Sequence, residues 1–332
     1  MNATAAATRP VYLSHCLELF APYLERADVT DIYVNRPQEL WLETQGGAIE
    51  RHDIPTLDSA LLERFARQVA AQAHQGINRE HPLLSASLPD GSRIQIIVPP
   101  ATRGNMALAI RKHQALDLTL EDYDAAHAFD AVQSKNTAQD TDAMLRCLRD
   151  EGRFTALLRE AVKARKNILV SGGTSTGKTT FLNTLIREIP SAERLILIED
   201  AAEIALHHEN AISLIAARSS LGESVISAED LLNACLRMRP DRIILGELRG
   251  PEAFTFLRAI NTGHPGSMTT VHADSPARAV EQIALLVLQT GTRLTHNDIV
   301  RYVRSTVDVF VQLGRSGGRR HVQDIAFKED LA

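Results

Sequence analysis

The chain has 332 residues, enough for two domains, and its 44% hydrophobic and 23% charged residues are ordinary for a globular protein. This composition excludes a disordered chain and a fibre. The formal net charge of −5 argues against a protein held to nucleic acid by bulk positive charge, so we expect no direct nucleic-acid binding.

The N-terminal stretch, MNATAAATRP, has no basic start followed by an apolar segment, so it does not resemble a signal peptide. Nowhere do about 18 apolar residues follow one another, and we therefore expect no transmembrane helix. These two features predict a cytoplasmic protein, which could still associate with a membrane face.

Residues 1–113 show the pattern of a mixed α/β domain. Two strand-like runs lie within 29–43, separated by an Asn-Arg-Pro turn signal, and residues 57–72 have the spacing of an amphipathic helix. Two further strands are predicted at 93–98 and 106–110.

The next segment, 114–150, is rich in Asp, Ala, Gln and Thr and has weak periodicity, so we interpret it as an interdomain linker with some helix. Strand-like and helix-like runs then alternate through 151–332, with short apolar strands at 167–170, 195–198 and 243–245. Such alternation predicts an α/β domain with a mostly parallel sheet covered by helices.

A glycine-rich loop follows the first of these strands. Residues 172–179 are GGTSTGKT, which fits the GxxxxGK[ST] pattern between a strand and a helix beginning near Thr180. The glycines let backbone N–H groups converge on phosphate oxygens, Lys178 would reach the β- and γ-phosphates, and the Thr179 hydroxyl would help to hold Mg²⁺. The predicted nucleotide-binding residues are Gly172, Gly173, Thr174, Ser175, Thr176, Gly177, Lys178, Thr179 and Thr180.

Acidic residues stand at the ends of two later strands. Glu199 and Asp200 follow the strand at 195–198, where carboxylates could hold Mg²⁺ or its waters, although they could also be helix-capping or surface acids. Glu247 ends the second strand and is the candidate that orients or deprotonates an attacking water; the alternative is an exposed strand-end glutamate.

Two histidines, His264 and His272, flank a glycine-punctuated loop that runs into a short strand. An imidazole beside a γ-phosphate could donate a hydrogen bond, but each histidine could equally be structural. No third ligand stands at metal spacing, which argues against a zinc site.

Phosphoryl transfer also needs positive charge on the γ-phosphate, often from an arginine. Four arginines are candidates by position, and from spacing alone all four could be solvated surface residues. They are Arg93, Arg111, Arg239 and Arg249.

Four segments together resemble the secretion ATPase superfamily, and within it the VirB11-like ATPases of type IV secretion and conjugation. GGTSTGKTT, ILIEDAAEI, RMRPDRIILGELRG and INTGHPGSMTTVHADSP are similar to the family's Walker A, Asp box, Walker B and His box, in that order. The first domain is similar too, in TDIYVNRPQELWLE, LPDGSRIQIIVPP and LAIRK. The segment around 114–150 matches least.

The resemblance implies a homohexameric ring in which an N-terminal α/β domain precedes a RecA-like motor domain, with ATP and Mg²⁺ bound between the two. It also implies work with other components of a secretion or conjugation apparatus at the cytoplasmic face of the inner membrane. Arg93 and Arg111 resemble N-terminal-domain arginines that reach the nucleotide phosphates, and His264 and His272 fall on the His box. Gly246 before Glu247 agrees with the family pattern.

Alternatives stay open at this point. Type II secretion and pilus-assembly ATPases resemble the chain in the same four motifs, although many carry a four-cysteine zinc module and a further N-terminal domain, neither of which is seen here. Pilus-retraction motors are closer in size. A nucleotide-gated scaffold, which binds ATP and acts through assembly, is a hypothesis of another class, and a small-molecule kinase is a weaker one. The transported substrate cannot be inferred.

Overall fold

The computed structural model describes residues 11–113, 119–130, 135–217 and 223–331. Its first sheet has six strands in the order β3-β2-β1-β6-β5-β4, and every neighbouring pair is antiparallel. The elements here are α1 (Val11–Leu17), α2 (Ala21–Leu24), β1 (Val29–Val34), β2 (Glu39–Thr44), β3 (Ile49–Asp53), α3 (Ser59–Gln72), β4 (Leu83–Ser87), β5 (Arg93–Ile97) and β6 (Ala107–Arg111).

Strands β1, β2, β5 and β6 of the first sheet are buried on both faces because their side chains alternate between two cores. In β1, Ile32 and Val34 pack with Phe65 of α3, whereas Tyr33 between them faces the other way. Trp41 of β2 shares that second face, which joins the core of the C-terminal part of the chain. Because side chains alternate along a strand, one face of this sheet packs against the helices of the N-terminal domain and the other packs against the C-terminal domain.

The described part of the segment 114–150 contains the helices α4 (Leu120–Ala125) and α5 (Lys135–Asp150). Leu145 and Leu148 of α5 are buried in the core around the second sheet, so the end of the predicted linker is a helix packed on the C-terminal domain. Parts of the linker, 114–118 and 131–134, lie outside the described residues, and the proposed boundaries at 113 and 150 stay predictions.

The second sheet has seven strands in the order β13-β12-β7-β11-β10-β8-β9, parallel except for the β12–β13 pair at one edge. Its elements are α6 (Phe154–Lys163), β7 (Ile168–Gly172), α7 (Lys178–Ile186), β8 (Leu195–Glu199), β9 (Ala211–Ile215), α8 (Ala228–Cys235), β10 (Arg242–Leu248), α9 (Glu252–Asn261), β11 (Met268–Val271), α10 (Pro276–Leu288), α11 (His296–Thr306), β12 (Val309–Ser316) and β13 (Arg319–Phe327), followed by a 3-10 turn, Lys328–Leu331. The predicted α/β fold class is confirmed. Sequence patterning did not predict β3, β4, β9, β12 or β13.

The parallel strands β7, β8, β10 and β11 all end at the same edge of the second sheet, with Val170 paired to Thr270 and Leu245 paired to Ile198. The glycine-rich loop, Glu199, Glu247 and His272 follow or stand at these strand ends. Such an edge is where open α/β sheets bind ligands. None of the helices in the described part of the chain has the length and apolar character needed to cross a bilayer.

Candidate active site

The glycine-rich loop joins β7 directly to α7, and its geometry requires glycine at two positions. A Cβ atom at Gly172 would lie 2.4 Å from Thr176 Oγ1, which itself donates a hydrogen bond to the Gly173 carbonyl at 2.8 Å. Gly177 has a φ of 90°, in the left-handed region that favours glycine. The loop is therefore curled tightly in front of the N-terminus of α7, which suits the binding of an anion.

A cavity of about 410 Å³ opens beside this loop. It is lined by loop residues from Gly173 to Thr180, by strand-end residues of β8, β10 and β11, and by one residue of β13. Its polar and charged lining includes Lys178, Thr179, Glu199, Asp200, Glu203, Glu247, Arg249, Thr270, His272 and Arg320. The structure thus brings together most of the residues that the sequence singled out.

Lys178 and Glu247 form an ion pair inside the cavity. Lys178 Nζ lies 3.2 Å from Glu247 Oε1 and donates to the Gly172 carbonyl at 3.1 Å. Arg249 Nε donates to Glu247 Oε2 at 2.6 Å, and Arg249 Nη1 donates to Asp200 at 2.9 Å. Burial opposes ionisation of Glu247, but Lys178 and Arg249 outweigh it and lower the pKa of this carboxyl group below its ordinary value. Glu247 is therefore a carboxylate at neutral pH, able to accept a proton.

Glu199 is held more firmly than the other acids. It is only 5% exposed, and its Oε1 accepts the backbone N–H groups of Glu203 at 3.0 Å and Ile204 at 2.8 Å. Burial raises the pKa of Glu199 above its ordinary value. These contacts order the loop after β8, and the predicted metal-binding role of Glu199 stays a prediction.

The donor atoms in the cavity fit a magnesium ion. Mg²⁺ prefers oxygen ligands and usually binds through one or two protein groups together with phosphates and water. Thr179 and Asp200 place a hydroxyl and a half-exposed carboxylate in the same cavity as the phosphate loop.

Five residues that the sequence singled out do not line this cavity, namely Gly172, Arg93, Arg111, Arg239 and His264. His264 donates from Nδ1 to the Pro240 carbonyl at 2.9 Å, beside the start of β10, whereas Glu247 stands near the end of that strand, roughly 20 Å away at the usual rise per residue. Burial lowers the pKa of His264. Arg93 and Arg111 line a second cavity of about 490 Å³ together with Arg237.

Arg320 is a cavity residue that sequence reasoning missed. It lies on β13, just after the turn at Gly317 and Gly318, whose φ values of 56° and 80° are both positive. A two-glycine turn between alternating runs is a strong hairpin signal, and it was present in the sequence. The hairpin places Arg320 beside Gly177 of the glycine-rich loop.

A phosphate loop between a central parallel strand and a helix, with a lysine, a threonine and a strand-end glutamate in one cavity, defines a P-loop nucleoside triphosphatase. The model of the family described as type II/IV secretion system protein matches residues 18–317, and the chain belongs to this family.

Individual relatives agree with this placement. The chain is 37% identical to the type IV secretion system protein VirB11 of Brucella suis, over 97% of this chain and 91% of the relative. It is also 37% identical to PtlH of Bordetella pertussis, a type IV secretion system protein, over 98% of each chain. The crystal structure of the VirB11 ATPase of the Brucella suis type IV secretion system, in complex with sulphate, superposes with a TM-score of 0.89 at 36% identity, covering 97% of this chain and 96% of that one. The predicted resemblance to VirB11-like ATPases is confirmed.

Proposed function

We propose that this protein hydrolyses ATP with Mg²⁺ as a homohexamer and uses the energy to power substrate transfer or pilus assembly by a type IV secretion or conjugation machine. The observation that carries the proposal is the placement of Lys178 and Glu247, 3.2 Å apart, in the cavity beside the phosphate loop. The names of the relatives support the secretion context. The proposed location is the cytoplasmic face of the inner membrane, in contact with other components of the apparatus.

The loop would bind the phosphates of ATP through its backbone N–H groups and the N-terminus of α7. Lys178 would leave Glu247 and bind the β- and γ-phosphates, since an added anion competes directly for the same ammonium group. When bound, Mg²⁺ neutralises charge that develops between these phosphates. Thr179 and Asp200 would hold it, with Glu199 ordering the loop that carries Asp200.

Glu247 would then act on water. The attacking water transfers a proton to the Glu247 carboxylate as its oxygen bonds to the γ-phosphorus and the bond to the leaving oxygen of ADP breaks. Arg249 holds the second oxygen of this carboxylate at 2.6 Å, which fixes its orientation. His272 lines the same cavity and would donate a hydrogen bond to the γ-phosphate.

Arg93 and Arg111 would have to move before they could contact the nucleotide. They lie in the cavity shared with Arg237, and Arg111 donates to Asp31 at 3.0 Å. We propose that movement of the N-terminal domain brings them to the phosphates during the cycle. His264 would stabilise the start of β10 in this arrangement.

ATP hydrolysis measured across protein concentrations, with the oligomeric state followed by sedimentation, tests the proposal. We expect Mg²⁺-dependent activity per subunit to rise with assembly and to vanish in Lys178→Ala. Lys163→Ala is the matched control, because Lys163 is an exposed lysine of α6 outside the cavity. Activity that persists in Lys178→Ala would contradict the site, and ATP binding without turnover would favour the assembly scaffold.

A further inference from the structure

The β12–β13 hairpin flanks the phosphate loop because of its register on the sheet. Strand β12 pairs in parallel with β7, and the last pair joins Leu313 to Gly172, where β7 ends and the loop begins. Strand β12 continues to Ser316, so the far end of the hairpin extends past β7 alongside the loop. Strand β13 returns antiparallel, and its Arg320 pairs with Arg315 in this extended part.

The contact between hairpin and loop is close at two points. A Cβ atom at Gly172 would lie 3.2 Å from both Leu313 Cβ and the Leu313 carbonyl oxygen. A Cβ atom at Gly177 would lie 3.1 Å from Arg320 Cδ and 3.5 Å from Arg320 Nη1. The Arg320 side chain therefore lies directly on the last glycine before Lys178, and it lines the nucleotide cavity.

Arg320 differs from the other cations of this cavity in its partners. Lys178 and Arg249 are both paired with Glu247. In the part of the chain that the structure describes, no carboxylate oxygen lies within ion-pair distance of the exposed Arg320 guanidinium. Its N–H donors are thus available to an anion that enters the cavity.

We propose that Arg320 is a phosphate-contacting residue, delivered to the nucleotide by the C-terminal hairpin. A guanidinium group presents a planar set of donors that matches phosphate oxygens and binds them more strongly than neutral donors do. The inference rests on the proposed function, since it adds one residue to the same ATP site. The β12–β13 hairpin would then form one side of the ATP site.

Equilibrium binding of a non-hydrolysable ATP analogue and of inorganic tripolyphosphate, each with Mg²⁺, tests the assignment by calorimetry. We expect Arg320→Ala to weaken both ligands by about tenfold, because one charge-assisted contact to phosphate is lost. Arg319→Ala is the matched control: it removes the same charge from the neighbouring exposed position of the hairpin, and Arg319 does not line the cavity. Its affinities should stay within about twofold of the unaltered protein.

Three results would overturn the assignment. Arg320→Ala could bind both ligands as the unaltered protein does, or Arg319→Ala could weaken them equally, which would indicate a general charge effect. Weakening of the ATP analogue alone would place the contact on the base or ribose. Lys178→Ala is included to distinguish failure of this assignment from failure of the proposed ATP site. If Lys178→Ala loses binding while Arg320→Ala binds normally, the ATP site stands and only the role of Arg320 is wrong. Failure of the unaltered protein to bind either ligand removes the proposed function as well.

Discussion

The nucleotide cavity and the contact between the two domains are both built from arginine and carboxylate side chains, but they differ in access to water. In the cavity, Arg249 is exposed, and the side chains of Lys178 and Glu247 keep 13% and 18% of their surface open to water. In the contact between domains, here called the interdomain joint, the central arginine is enclosed. The joint consists of Tyr33, Asn35, Glu43, Arg194, Asn210, Met238 and Arg239.

Arg194 is the centre of the joint and is 1% exposed. Its guanidinium carbon lies 4.2 Å from the Tyr33 ring centroid, and it donates to Asn35 Oδ1 at 2.7 Å and to the Met238 carbonyl at 3.0 Å. Burial lowers the pKa of Arg194 to about 10. Removing one side of an enclosed contact is strongly destabilising because it leaves buried polar groups without partners, whereas partly hydrated pairs such as Lys178–Glu247 can exchange partners when a ligand arrives.

The largest effect is expected in the cavity, from Glu247→Gln. We predict that kcat falls by about 10²–10³-fold, because the amide cannot accept the proton of the attacking water. ATP should bind at least as tightly as before, because Lys178 no longer forms an ion pair with a carboxylate at position 247. Steady-state kinetics with binding of the ATP analogue checks both points. Glu203→Gln, an exposed acid lining the same cavity, is the control and should keep its activity.

Next in size is Arg194→Ala in the joint. The change leaves the buried Met238 carbonyl and the part-buried Asn35 side chain without their donor and opens a void, and we expect a loss of about 3 kcal/mol in the free energy of unfolding. Urea denaturation measures it. Arg258→Ala is the matched control, because Arg258 is an exposed arginine that lies 5.9 Å from the Phe254 ring centroid. A loss no larger than that of the control would show that the joint is not a stabilising contact.

A smaller effect is expected from Glu43→Gln, which keeps the shape of the side chain and removes its charge. Glu43 accepts from the Tyr33 hydroxyl and from Arg239 Nη2, both at 2.5 Å. We predict a loss of about 1–2 kcal/mol in unfolding free energy. Glu63→Gln breaks the exposed Glu63–Arg67 pair and should cost less than about 0.5 kcal/mol. Equal losses would abolish the distinction between enclosed and exposed pairs.

The smallest effect concerns pH and His264. Burial lowers the pKa of His264 in the folded protein, so below the ordinary histidine pKa of about 6.5 the unfolded chain binds a proton that the folded chain does not. The contribution of this residue is therefore complete above that pH and is lost as pH falls toward the folded-state pKa. His264→Asn keeps a donor for the Pro240 carbonyl and should lose less stability between pH 7.5 and pH 5.5 than the unaltered protein, as thermal unfolding at each pH would show. A steeper loss of stability in the variant would contradict the predicted pH dependence of the His264 contribution.

Sequence patterning predicted the elements whose signals are local. The apolar runs that became β7, β8 and β10, and the helix α3, show clear periodicity, and the phosphate loop is one continuous segment. Strands β12 and β13 were missed although their alternation and two-glycine turn were visible, because β13 begins with Arg319, Arg320 and His321 and is exposed along most of its length. The other partner of β12, strand β7, is distant in the chain, so nothing local indicated that the hairpin reaches the phosphate loop.

The two histidines show what sequence order could have added. His264 precedes β11 and His272 follows it, so they must lie toward opposite ends of that strand. Only the residue after a parallel strand reaches the carboxyl edge where the phosphate loop lies. The position of Arg93 and Arg111 beside Arg237 could not be deduced, since it depends on how one domain docks on the other.

The most direct test of the central claim, that the cavity beside the phosphate loop binds ATP while the joint only stabilises the fold, is thermal unfolding with and without a saturating ATP analogue and Mg²⁺. At 100 times Kd a ligand stabilises by about 2.7 kcal/mol, which raises Tm by roughly 4 °C in a chain of this size. We predict that Lys178→Ala keeps the Tm of the unaltered protein and shows no rise with ligand, whereas Arg194→Ala begins lower and shows the full rise. A full rise in Lys178→Ala, or its absence in a folded Arg194→Ala, would contradict the account.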